Sequence, residues 1–307
     1  MPNAMVIIKC MSSLPLISSK IENREDKHIV GNEEVVQKKD PVANKNDHTE
    51  SKEACDSKEE AKNDLKMHTK TESSMSKERA IEYLRKMYQP NENIEYFIQR
   101  YLKEEYNLSG VEIEDNGSYG VAYYIFKEGT INKDLRLYRD HIGDEGAKAI
   151  ALALTYSHTL TELYIYENNI GDEGAKAIAL ALTSNNVLTK LYLNENKIGD
   201  EGAMVIAQAL TYDNTLTELC LHKNKIGNIG AKAIAKMLTI NKTIHVLSID
   251  YNKIGYDDAQ AIAAAIVVNS ALTILHVHHN IIGDEGYALL RKNCPRQLTI
   301  YYEDDIN

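Results

Sequence analysis

Three side chains able to ligate a metal recur in this chain at one spacing. His222, Asp250 and His278 stand 28 residues apart, with His276 and His279 close by. Two imidazoles and a carboxylate hold zinc or a neighbouring transition metal when they converge on one point. A second set is aromatic and cationic: Arg136, Tyr138, Tyr164, Tyr166 and Tyr192. Tyr and Arg are the residue types that dominate binding energy at protein interfaces. Signatures of catalysis are lacking in the sequence: it has no Walker A loop, no G-x-G-x-x-G after a strand, no H-E-x-x-H, no C-x-x-C and no nucleophile elbow. No catalytic residue, no metal and no cofactor are therefore expected.

A repeat positions these side chains. Leu135, Leu163, Leu191, Leu219, Leu247 and Leu275 are 28 residues apart, and so are Ile142, Ile170, Ile198, Ile226, Ile254 and Ile282, each followed by Gly. The block GDEGAKAIALALT occurs identically at 143–155 and 171–183, and six units of 28 cover 132–299. Register held over such a length is the mark of a solenoid. In the unit 160–187, Leu163 and Ile165 alternate with polar residues, which predicts a short strand with both pointing inward. Asn168 recurs as Asn196, Asn224, Asn252 and Asn280, and a stacked amide can satisfy backbone donors and acceptors where strand becomes loop. Gly171 is expected at a positive φ, and Asp172 as the N-cap of a helix with Glu173 near its positive end. Ala175, Ile178, Ala179 and Leu182 form that helix's inward stripe, with Lys176 outside. The acidic pair in each G-D-E-G would repel a phosphate, so the block reads as helix-start chemistry. One unit buries too little to offset the entropy of ordering it, so the units must stack.

The pattern resembles the leucine-rich repeats of the ribonuclease-inhibitor type, as in NOD-like receptors and Ran GTPase-activating proteins, with their N-x-I-G-x-x-G-A-x-x-I/L-A-x-x-L core. The resemblance covers just over half the chain. It implies an α/β fold, a curved solenoid or horseshoe with a parallel sheet on the concave face and helices on the convex face. Asp140 replaces the Asn of the first unit, and Tyr256 and Asp258 replace the capping residue and second glycine of the fifth. Pro295 stops the last helix early, and the QLTIYY that follows is expected to supply a closing strand.

Alternation then assigns the concave columns. One is Asp134, Glu162, Lys190, Glu218, Val246, Ile274; the next is Arg136, Tyr164, Tyr192, Cys220, Ser248, His276; the third is Tyr138, Tyr166, Asn194, His222, Asp250, His278. Adjacent strands hold side chains nearly parallel, whereas tetrahedral ligation needs convergence, so the histidine column reads as a polar surface whose binding could vary with pH. Arg136, Tyr138, Tyr164, Tyr166 and Tyr192 would gather on three neighbouring strands. Together with Asn194, His222, Asp250, His276 and His278 they make the expected partner-binding face.

The flanks differ. The chain has 19 Tyr, none before Tyr83, and no Trp. Residues 1–76 are rich in Lys, Glu, Asp, Asn and Ser and are expected to be a disordered polar tail. Their mildly apolar start, broken by Lys9, lacks the basic n-region of a secretory signal. Residues 77–131 are expected to form an N-terminal cap of two helices and a hairpin. Ile81, Leu84 and Tyr88 mark the first helix; Ile94, Phe97, Ile98, Tyr101 and Leu102 mark the second. Asn116-Gly117 is a type I′ hairpin signal. Residues 132–307 make the repeat domain. A net charge of −10 argues against nucleic-acid binding, and the lack of an eighteen-residue apolar run argues against a membrane span. Cys10, Cys55, Cys220 and Cys294 are too scattered for a disulfide framework and suggest a reducing compartment. The sequence thus predicts a monomeric, cytoplasmic, non-enzymatic scaffold that binds a protein on its concave face, in its own cell or as an effector delivered into a host cell. The alternative is a GTPase-activating protein resembling the Ran activator, which would place a polar group at a GTPase's nucleotide.

Overall fold

The computed structural model describes residues 76–89, 98, 108–128, 133–213 and 215–302. The chain divides into two units, Met1–Ser74 and Met75–Asn307, and the described residues all belong to the second. The expected tail, save Ser76, lies outside the described residues. So does the second cap helix, save the buried Ile98. Among the described residues, no helix is long and apolar enough to cross a membrane.

Helix α1 (Lys77–Met87) starts at Ser76, whose Oγ accepts from the Arg79 N–H, and it buries Ala80 and Leu84. Helix α2 spans Glu114–Glu128. Strand and helix then alternate: β1 (Asp134–Arg136), α3 (Asp144–Tyr156), β2 (Glu162–Tyr164), α4 (Asp172–Leu182), β3 (Lys190–Tyr192), α5 (Asp200–Leu210) and β4 (Glu218–Cys220). They continue as α6 (Asn228–Ile240), β5 (Val246–Ser248), α7 (Tyr256–Val268), β6 (Ile274–His276), α8 (Gly283–Asn293) and β7 (Thr299–Tyr301). The seven strands form one parallel sheet in sequence order, so the fold is the α/β solenoid the repeat implied. Leu135 pairs with Leu163, Leu163 with Leu191, and so on to Leu275, which meets Ile300 of the closing strand. Each of these leucines is buried, and the opposing helices add Ile150, Ile178, Ile206, Ile234 and Ile262 to the core between the layers.

The amide ladder forms. Asn168 Oδ1 accepts from the N–H groups of Asp140 and Ile142 at 3.1 and 3.0 Å, while its Nδ2 donates to the Leu137 and Ile165 carbonyls. Asn196, Asn224 and Asn252 repeat the arrangement one unit on.

Three local expectations about the backbone and its caps are corrected, and one about a side chain, Lys176. Gly171 has φ −102°, not positive. The left-handed residue comes four earlier, at Glu167 with φ 53°, and recurs at Glu195, Lys223, Tyr251 and His279. The glycine answers to space instead: a Cβ at Gly171 would stand 3.3 Å from the Asp144 carboxylate, and one at Gly174 would stand 2.8 Å from it. Second, Asp172 does not cap its own helix. Gly171 is the N-cap, and the Asp172 carboxylate accepts from Gly199 and Gly202 in the next unit at 2.7 and 3.0 Å. Asp144 and Asp200 do the same, so α4, α5 and α6 are each capped by the preceding helix. The relay ends where Asn228 takes the Asp position. Asp258, standing where other units have glycine, then accepts from Gly255 within its own unit. Lys176, expected outside, has only 16% of its side chain exposed and pairs with Glu173 and with Glu201 of the next unit.

Third, Asn116-Gly117 is not a hairpin but lies inside α2. Asn116 bonds both ways to the Gln89 backbone after α1, and Gly117 leaves no room for a Cβ against Ile113. Asp115 accepts from Gly143 and Gly146 at 2.7 and 2.8 Å, the role of Asp144 one unit later. Leu108 and Gly110 donate to the Arg136 and Tyr138 carbonyls. Residues 108–128 are thus a degenerate unit ahead of the array, and its glycine is the repeat's second glycine.

Candidate functional site

The concave columns follow from strand register. Arg136, Tyr164, Tyr192, Cys220, Ser248, His276 and Tyr301 are successive cross-strand partners. In-register neighbours on parallel strands bring identical side chains face to face. Tyr164 and Tyr192 stack at 4.5 Å between ring centres and 6° between planes, with the Arg136 guanidinium 5.3 Å from the Tyr164 ring centre. Tyr138 and Tyr166 stack beside them at 4.5 Å and 7°. The five residues therefore form two parallel stacks on β1–β3 and the turns that follow.

Carboxylates hold the hydroxyls of the first stack. Tyr164 donates to Glu162 at 2.5 Å, and Tyr192 bonds to Glu218. Burial and the bond to Glu162 push the Tyr164 phenol up to about 12, and burial and Glu218 raise that of Tyr192. Glu162 is correspondingly lowered, first by the Tyr164 hydroxyl. Tyr166 is raised by burial and by Tyr138, to whose hydroxyl it bonds. The flanking charges neutralise one another: Arg136 pairs with Asp134 at 2.9 Å, Lys190 with Glu162 at 3.0 Å, and Arg139 with Glu167. Asn194, next in the Tyr166 column, is buried and adds little surface.

The second half of the face is polar. Ser248 Oγ donates to Asp250 Oδ1 at 2.6 Å and lies 3.3 Å from His222 Nδ1, while His278 Nε2 is 3.5 Å from Asp250 Oδ2. His222, Asp250 and His278 are thus brought together as a row, His222 and Asp250 through hydrogen bonds to Ser248 and His278 by its approach to Asp250. Among the described residues, no group of three or more His, Cys, Asp or Glu side chains is arranged to hold a metal ion. Burial lowers the pKa of His222 and of His276. Cys220 is buried, and its thiol is pushed up to about 12 by burial and by the Glu218 and Asp250 charges. Sequence reasoning did not single out Glu162 and Glu218 as holders of the tyrosine hydroxyls, Ser248 as the link in the row, or Tyr301, which stacks on His276 at 4.4 Å and 7°. Column membership was the available signal for the first three. Tyr301 lies outside the 28-residue register.

Comparison with known proteins bears on the array. A family model described as Leucine Rich repeat matches residues 140–151, 156–179, 184–207, 212–235, 241–263 and 268–290. Among solved structures, "Leiomodin-1 Actin-Binding Site 2 (ABS2)" is similar at 25% identity and a TM-score of 0.43, over 48% of this chain and 86% of that one. No curated protein sequence matches the chain. With six matched segments falling in step with the strand–helix units of one parallel sheet, residues 140–290 are an array of leucine-rich repeats.

Proposed function

We propose that this chain is a non-enzymatic interaction scaffold that binds a protein partner on its concave face, centred on Arg136, Tyr138, Tyr164, Tyr166 and Tyr192. The observation that carries this reading is the pair of tyrosine stacks on adjacent strands. Rings held by their neighbours and by Glu162 and Glu218 lose little rotamer freedom when a partner binds, which lowers the cost of association. Their environment suits recognition better than chemistry. Raised phenols and a Cys220 thiol pushed up to about 12 stay protonated at neutral pH and make poor nucleophiles.

The test is affinity capture from the source cell with the wild-type chain, the Tyr164→Ala/Tyr166→Ala/Tyr192→Ala chain, and a control altered at the exposed helical Lys236. Proteins held by the wild type and the Lys236 control should be lost from the triple variant. Equal recovery with all three would overturn the concave-face reading.

A further inference from the structure

A row of cations runs along the turns that lead from strand to helix. Lys197, Lys225 and Lys253 hold the same place after β3, β4 and β5. Their N–H groups donate to the Ile170, Ile198 and Ile226 carbonyls of the preceding units, each at 2.8 Å, so the three stand one strand interval of ~4.8 Å apart. All three are exposed, and among the described residues none of their ammonium groups has an ion-pair or hydrogen-bond partner. The cations of the concave face differ, since Arg136, Lys190 and Lys223 each lie against a carboxylate. Like charges on neighbouring strands repel, and an anion laid along the row relieves that cost.

Acids are missing at the middle of the row. The first three units and the sixth open their helices with Gly-Asp-Glu-Gly, whereas the fourth has Gly227-Asn228-Ile229-Gly230. Residues 216–243 carry five lysines and Glu218 as their one acid, in a chain of net charge −10. Apolar side chains stand there instead. Glu201 reaches back to Lys176 at 2.9 Å, but one unit on those two places belong to Ile229 and Met204. Ile229 is 61% exposed, and Ile281, which continues the row beyond Lys253, is 71% exposed. A single exposed isoleucine is ordinary, but two beside three unpaired lysines make a surface that is both cationic and apolar.

The shape of the row selects its occupant. Glu195, Asp200 and Asp257 lie within four residues of it in the chain, and the whole molecule is negative, so a broad face of phosphates would meet repulsion. An extended peptide is only one strand wide. Its alternate side chains repeat at about 6.7 Å, and flexible lysine stems take up the difference from the row's own spacing. We infer that Lys197, Lys225, Lys253 and Ile281 form a docking surface, separate from the concave tyrosines, for an extended acidic segment of a partner protein. Its carboxylates pair with the lysines, and neighbouring apolar residues cover Ile229 and Ile281.

The test follows the fluorescence anisotropy of a labelled peptide of alternating Asp and Glu closed by two Leu, titrated with the full-length chain. Saturable binding that weakens as salt is raised is expected. Exposed ion pairs are individually weak, so the lysines are removed together: Lys197→Gln/Lys225→Gln/Lys253→Gln should weaken binding about tenfold or more. A charge-matched control, Lys133→Gln/Lys236→Gln/Lys292→Gln, alters exposed lysines away from the row and should leave binding within about twofold of the wild type. Ile281→Ser, or a peptide with Ser in place of Leu, should weaken binding about threefold or more. The Tyr164→Ala/Tyr166→Ala/Tyr192→Ala chain should bind the peptide as the wild type does. No saturable binding up to the solubility limit would overturn the inference, as would equal losses in the two lysine variants. Loss of binding in the tyrosine variant would also overturn it, by moving the peptide to the concave face. Phosphatidylserine vesicles or single-stranded DNA binding the row more tightly than the peptide would replace the peptide with a phosphate-bearing partner and overturn it too.

Discussion

Asp140 occupies the place where later units carry asparagine, and the substitution sets a pH dependence. It is fully buried; Oδ1 accepts from the Val111 and Glu112 N–H groups at 2.9 and 3.1 Å, and Oδ2 has no hydrogen-bond partner. Burial pushes its carboxyl up to about 7 against the pull of those backbone donors. Its proton is held more tightly folded than unfolded, so stability falls as pH rises from about 4 to about 7 and then levels off. Asp140→Asn removes the buried charge, keeps the acceptor and adds the donor used at Asn168. It should gain about 1–3 kcal/mol at pH 8 and almost nothing at pH 4. Urea unfolding at the two pH values checks this, and a gain independent of pH would contradict it. Asn224 makes the opposite case. Its amide serves the Ile198 N–H and the Leu193 and Leu221 carbonyls, so Asn224→Ala strands three backbone groups and should cost roughly 2–5 kcal/mol in the same assay.

At the scale of the element, the helix starts join the units. A carboxylate at the first helical position reaches forward to two glycine N–H groups of the next helix, leaving little room for a Cβ at the first glycine and none at the second. Gly202→Ala would place a methyl 2.7 Å from Asp172 and 2.9 Å from Ala175, and should cost about 1–3 kcal/mol. Asp172→Ala should cost about 1–2 kcal/mol and speed hydrogen exchange at Gly199 and Gly202 rather than at the start of its own helix. Unchanged exchange at those two amides would refute the relay. The strands, helices and amide ladder were legible because they repeat within one unit: Leu163, Asn168 and Ile178 announce their roles by period and residue type. The relay was not, because the bond from Asp172 to Gly199 spans 27 residues and looks from the sequence like an ordinary cap. Helix α2 was misread for a related reason. Asn116-Gly117 has the composition of a tight turn, and only packing against Ile113 and Gln89 reveals the glycine as a repeat position.

For the molecule as a whole, the ladder ties each unit to its neighbours and the relay reinforces the joins as far as α6, so stability is a sum over interfaces and the ends are the weak places. The amino end is continued by α1 and α2, and the carboxyl end is closed by β7, whose Ile300 replaces the column leucine. The concave columns gain their order from this rigidity: the same register that stacks leucines inside stacks tyrosines outside. The sequence assigned Tyr164 and Tyr192 to one column, but the match of ring planes depends on strand spacing and appears only in three dimensions. The central claim is that a protein partner covers these rings, and hydroxyl-radical footprinting of the chain with and without its captured partner tests it most directly. The account predicts that Tyr138, Tyr164, Tyr166 and Tyr192 lose reactivity on binding while the exposed Tyr256 of α7 keeps it. Protection of Tyr256, with the four concave tyrosines as reactive as before, would contradict it.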